Sequence, residues 1–226
     1  ASYGWAVLNN LFLPEEEGLQ ELLLQPRSEA DLARELVLRH TGATRVLHAE
    51  WVTQSSPYVP AHYVAVDERL RALVLCIRGT LHPLDAMIDL KARGEAITWS
   101  AKAFSPEGTQ GTGRGRGRAH GGMLQAAKHL EKLLAARLRA WLSQPAYHGF
   151  RVIVVGHSLG AGVATLLALR LRPALPAAAD VRGVAFAPPA TLDGASASAA
   201  GEVITSVIVG SDLVPSISIS SAQALA

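Results

Sequence analysis

The chain has 226 residues, 49% apolar and 18% charged, with 21 basic and 19 acidic side chains and a single cysteine, Cys76. That is enough apolar material for one domain with a sizeable core, and it excludes a disordered chain. The near-neutral balance points to no nucleic-acid partner, one cysteine excludes a disulfide framework or a cysteine-based zinc site, and no apolar run approaches the roughly 18 residues of a membrane span.

The N-terminal part, residues 1–60, reads as mostly helical. Ser28 suits a helix cap, with Asp31 three residues on and Leu32, Leu36 and Val37 at helical spacing; Gly42 is the expected stop. The start of the chain lacks the basic and long apolar segments of a signal peptide. Pro57 and Pro60 mark a loop. Tyr63–Val66 and Ala72–Ile77 then read as strands joined by a turn, and Leu84–Lys91 as a short helix. Residues 92–118, with Gly111, Gly113, Gly115 and Gly117 among polar neighbours, read as a flexible lid or surface insertion. Met123–Leu142 is a helix by composition, Arg151–Val155 a buried strand, and Leu159–Leu171 a helix stopped by Pro173. Val181–Phe186 and Val203–Val209 are further strands. Strand and helix alternate, which predicts an α/β fold with a mainly parallel sheet flanked by helices.

The strongest chemical signal is Gly156-His157-Ser158-Leu159-Gly160. It matches G-x-S-x-G and sits where that pattern carries meaning, between an apolar strand and an apolar helix. A serine nucleophile must stand on a sharp strand-to-helix turn, and only glycine leaves room at the flanking positions. Ser158 is therefore the expected nucleophile, and the N–H of Leu159, at a helix N-terminus, an expected oxyanion donor. Gly156 and Gly160 support the turn. His157 adjoins Ser158 in sequence, but a sharp turn sends neighbouring side chains different ways, so it is expected to pack or hydrogen-bond beneath the elbow.

A second oxyanion donor is expected in the loop after an early strand, where Arg78-Gly79-Thr80 follows Ala72–Ile77; Thr80 suits this role. The acid is expected after a later strand, which selects Asp212, with Asp193 a weaker rival. A histidine should follow the acid. The eight histidines stand at 40, 48, 62, 82, 120, 129, 148 and 157, all before Asp212. Three explanations fit: a chain cut before its last strand and histidine loop, substitution by an upstream histidine, with His120 the candidate, or loss of catalysis. The first is the leading expectation, and it implies that this piece alone is inactive.

Together these segments resemble the sn-1-specific diacylglycerol lipases, within the class 3 (fungal-type) lipases. The resemblance is carried by Tyr3-Gly4-Trp5, Ile77-Arg78-Gly79-Thr80-Leu81, Ala119-His120-Gly121-Gly122-Met123, Val154 to Gly162, Ala187-Pro188-Pro189 and Gly210 to Pro215. It implies an α/β-hydrolase fold over residues 1–226, truncated at both ends. Ser158 would be nucleophile, Asp212 acid, and Thr80 and Leu159 oxyanion residues, with His120 ordering the loop beside the elbow. It implies hydrolysis of diacylglycerol to 2-monoacylglycerol and a fatty acid, with no metal or other cofactor required and calcium stimulation known of the family. It also implies membrane association of the whole protein, with this domain on the cytoplasmic side. The rivals are a triacylglycerol lipase or phospholipase A1, and a non-catalytic lipid-binding domain. Arg114, Arg116 and Arg118, with Lys102 nearby, form a basic cluster suited either to plain solvation or to anionic headgroups. Cys76, on the strand before the oxyanion loop, is expected in the core.

Overall fold

A computed structural model of the chain describes residues 28–51, 59–79, 94–104, 114–210, 212 and 214–216. Helix α1 (Glu29–His40) starts on Ser28, whose hydroxyl accepts the Asp31 amide at 3.2 Å. That bond satisfies one of the amides a helix start leaves without an intrahelical acceptor. The helix ends one residue before the predicted stop: the Thr41 amide and hydroxyl both donate to Val37 O. Residues 1–27, also predicted helical, lie outside the described residues, as does the helix predicted over Leu84–Lys91.

Strand β1 (Arg45–Glu50) lies within residues 1–60, which read as mostly helical, and corrects that reading there. Its RVLHAE sequence does not alternate, and only Val46 is buried, as befits an edge strand. Strands β2 (His62–Asp67) and β3 (Ala72–Ile77) form an antiparallel hairpin in which every strand residue is buried and the turn, 68–71, is exposed. Strands β4 (Gly94–Ser100) and β5 (Arg114–His120) form a separate hairpin. Helix α2 (Gly121–Leu142) follows, then β6 (Arg151–His157), α3 (Leu159–Ala174), β7 (Val181–Phe186), the short α4 (Gly194–Ala200) and β8 (Ile204–Val207). The main sheet runs β1-β2-β3-β6-β7-β8, and the β3–β6, β6–β7 and β7–β8 pairings are parallel.

One sheet face packs on α2 and α3. Met123, Ala127, Leu130, Leu134 and Leu138 recur at helical spacing along α2 and are buried with Leu73, Leu75, Val152 and Val154. The other face gathers Tyr63, Val74, Cys76 and Val155 around Val37 of α1. Cys76 is fully buried there, and desolvation pushes its thiol up to about 12. It is a core residue.

Within the stretch read as a flexible lid or insertion, 92–118, the described residues 94–100 and 114–118 are paired strands. β4 and β5 pair without interruption from Gly94↔His120 to Ser100↔Arg114; residues 105–113 between them lie outside the described residues. The glycines misled because they signal flexibility when read alone. Here Gly117 permits close approach: a Cβ on it would stand 2.9 Å from Asp193 Oδ2. Two ends also shift. Helix α3 runs one residue past Pro173, to Ala174. The predicted strand at 203–209 shortens to Ile204–Val207, leaving Val209 80% exposed.

Candidate active site

Strand β6 delivers Ser158 to the C-terminal edge of the sheet, and α3 leaves from it. Ser158 holds φ 54° and ψ −126°, the corner conformation of a type II′ turn, which an L-residue adopts only under strain. Its amide donates to Phe186 O at 2.9 Å, and its carbonyl accepts the Ala161 amide at 2.9 Å. Its Oγ is buried with no hydrogen-bond partner among the described residues. The turn is thus held by the backbone while the hydroxyl is left uncommitted.

The glycines around it are steric requirements. A Cβ on Gly156 would lie 2.3 Å from Gly160 O, and one on Gly162 would lie 2.4 Å from Met123 Sδ. Gly79 has the same logic: its Cβ would stand 2.7 Å from His157 O and 3.6 Å from Ser158 Cβ. The segment leaving β3 therefore passes directly beside the elbow. Thr80 follows it but lies outside the described residues. Leu159 is the first residue of α3, so its N–H has no intrahelical acceptor and points with the positive end of the helix dipole.

Asp212 follows β8 on the same edge. Its Oδ1 accepts the Val214 amide at 3.0 Å. His157, half-buried at the end of β6, has its proton affinity lowered by burial, while the Asp212 carboxylate acts in the opposite sense. The two residues are therefore electrostatic neighbours, a relation the sequence reading did not contain. Asp193 has a different task. It caps α4, accepting the Ser196 amide at 2.8 Å, and also accepts the Arg118 amide from β5. These amides hold its carboxyl below the usual range. His120 is buried, and its Nδ1 accepts the Met123 amide at 3.4 Å as the cap of α2. Its own amide donates to Thr191 O at 2.9 Å. Burial lowers its proton affinity.

Phe186 and Ala187 are site features that residue chemistry alone did not reveal. Phe186 supplies the carbonyl that holds Ser158, and Ala187 takes φ 46° immediately before Pro188. The signal available was the Ala-Pro-Pro segment itself, which proclaims a rigid turn but not its neighbour. A cleft of 320 Å³ opens nearby between α3, α4 and β8, but neither Ser158 nor Asp212 lines it. Among the described residues no cluster of His, Cys, Asp and Glu is arranged as a metal site, and no helix is long and apolar enough to cross a membrane.

A mainly parallel sheet flanked by helices, with a strained serine between a strand and the helix it feeds, defines an α/β-hydrolase fold. Solved structures agree at the level of fold. The lipase from Rhizopus microsporus var. chinensis superposes with a TM-score of 0.63 at 16% identity, over 96% of this chain and 67% of that one. The Rhizomucor miehei lipase propeptide complex gives 0.57 at 21% identity, over 76% and 51%. The class 3 lipase family model matches residues 74–221, and the chain belongs to that family. It is similar to diacylglycerol lipase-alpha of Rattus norvegicus, at 38% identity over 170 residues. It is also similar to diacylglycerol lipase-beta of Mus musculus, at 32% over 166 residues. Each match covers 72% of this chain but only 15% and 22% of those proteins.

Proposed function

We propose that this chain carries the catalytic centre of a serine lipase that cleaves the sn-1 ester of a diacylglycerol. The observation that carries the reading is Ser158: a strained, backbone-anchored serine whose buried Oγ has no partner among the described residues. Strain of this kind costs about 1–3 kcal/mol and persists where the surroundings impose it. The substrate assignment rests on the similarity to the two diacylglycerol lipases.

In this mechanism Ser158 Oγ attacks the sn-1 carbonyl and its proton passes to a histidine. The oxyanion is held by the N–H groups of Leu159 and Thr80. The bond to the glycerol oxygen breaks, and 2-monoacylglycerol leaves with that proton. Water then attacks the acyl-serine and releases the fatty acid. Asp212 orients the histidine and stabilises its charged form. We assign the histidine to a position outside these 226 residues, for two reasons. His120 Nδ1 is engaged as a helix cap, and His157 is tied to the strand side of the turn that presents Ser158. The whole protein would work at a lipid surface.

The test is covalent labelling of Ser158 by a fluorophosphonate, read by mass spectrometry, beside hydrolysis of diacylglycerol, triacylglycerol and phosphatidylcholine by a chain extended past Ala226. Ser158-dependent release of 2-monoacylglycerol is the expected result. Preference for another lipid would overturn the substrate assignment. Absence of labelling, with no turnover in the extended chain, would overturn the hydrolase reading in favour of a lipid-binding domain.

A further inference from the structure

The β4–β5 hairpin carries a charge pattern that ester hydrolysis does not use. Its register places Arg114, Arg116 and Arg118 at alternate positions of β5, opposite Ser100, Thr98 and Ala96. Alternate residues of a strand share one face, about 7 Å apart. None of the three opposing residues is acidic. Arg116 and Arg118 are exposed, and among the described residues no ion pair joins either to a carboxylate. The nearby acids are engaged elsewhere. Glu95 bonds Gln125 and Lys128, and Asp193 accepts backbone amides. The Arg118 guanidinium also donates to Gly94 O at 2.8 Å, which steadies it against the opposite strand.

The other hairpin face is the anchored one. Trp99 is buried against Phe104, and Gly117 abuts Ser196 and Asp193. The base of the hairpin is fixed at the Ser158 end of the fold. His120 donates to Thr191 O, and Asp193 donates to Arg118 O at 3.0 Å. Residues 187–193, which make these bonds, leave β7 directly after Phe186, the residue whose carbonyl holds Ser158.

We propose that this arginine face docks the chain on anionic lipid headgroups and so holds the Ser158 end of the fold at a bilayer surface. The inference rests on the lipid-directed reading above and adds to it the surface that meets the membrane. Charge complementarity selects the partner: three arginines stand at alternate positions of one strand, and the two whose side chains are described, Arg116 and Arg118, are exposed and in no ion pair among the described residues. Nucleic acid fits less well, because glycines rather than stacking aromatics separate the arginines. The chain's formal net charge is only +2, so the attraction is local to this face.

The test is co-sedimentation of the 226-residue chain with phosphatidylcholine vesicles, with and without phosphatidylserine. Each arginine at an anionic surface strengthens partitioning by about five-fold, so replacing all three by glutamine should weaken it by roughly a hundred-fold. Replacement by lysine should preserve it within a few-fold. Raising the salt concentration should release the unsubstituted chain, a result that depends on no variant folding. Equal binding to neutral vesicles would overturn the proposal. So would an unchanged partition in the folded glutamine variant, a lysine variant as weak as the glutamine one, or displacement by duplex DNA at equal phosphate concentration. If fluorophosphonate labelling of Ser158 fails while vesicle binding still follows the arginines, the hydrolase reading falls and the docking face stands.

Discussion

Gly160 meets Ile77 backbone to backbone. A Cβ on Gly160 would stand 2.5 Å from Ile77 O and 2.8 Å from the Arg78 carbonyl carbon. Helix α3 therefore begins in contact with the end of β3, and through Gly156 with β6, the strand that leads into Ser158. Gly160→Ala or Gly156→Ala should each destabilise the chain by about 3 kcal/mol, because both displace backbone rather than a flexible side-chain tip. Gly115→Ala is the control: its Cβ meets nothing within 4 Å. It should be neutral or stabilising by about 0.5 kcal/mol. Urea unfolding of the three variants checks the contrast.

Ser158 sits in a conformation that suits glycine. Ser158→Gly should abolish covalent labelling and raise stability by about 1 kcal/mol, since the relief of strain exceeds the entropy glycine gains in the unfolded chain. Ser158→Ala should abolish labelling without that gain. A higher melting temperature for the glycine variant than for the alanine variant is the expected measurement. The reverse order would show that the turn stores no strain.

The two late aspartates should separate cleanly. Asp193→Ala removes the cap of α4 and the acceptor of the Arg118 amide, and should cost about 1 kcal/mol or somewhat more. Asp193→Asn, which keeps a capping oxygen, should restore most of it. Asp212→Asn should change stability little and lower turnover of diacylglycerol by about four orders of magnitude in a chain carrying the full triad. Melting curves and initial rates on the same four proteins decide it.

Acid should unfold this chain earlier than its carboxylates alone require. Burial lowers the proton affinity of His62 and His120, and also that of His48 and His157. Between each lowered folded value and the unfolded value of about 6.5, the unfolded chain binds more protons. Stability is therefore fully present above about pH 6.5 and is lost as the pH falls through that window, by at most about 1.4 kcal/mol per pH unit for each histidine. His120→Asn keeps a cap acceptor but does not titrate, so it should flatten the slope measured by urea unfolding from pH 7.5 to 5. An unchanged slope would remove His120 from the account.

What could be read from the sequence was local. The elbow at 156–160 needs only consecutive residues: apolar strand, glycine-flanked serine, apolar helix. The helical spacing along α2 and the continuous apolar run of β3 are local in the same sense. The position of Asp212 was also legible, because it follows the last strand at the C-terminal edge of the sheet. The remainder depended on partners far apart in the chain. Strand β1 shows no pattern of its own and exists because β2 offers it an edge. The glycines of β5 read as looseness until Asp193 and Ser196, more than seventy residues away, are seen to fill the space beside Gly117. The electrostatic effect of Asp212 on His157 and the grip of Phe186 on Ser158 arise only when β6, β7 and β8 assemble side by side into the sheet. Sequence determined which residues are candidates for chemistry, because reactivity depends on residue type and immediate context. Tertiary structure decided which of them meet, because long-range pairing is set by the packing of the whole sheet rather than by any one segment.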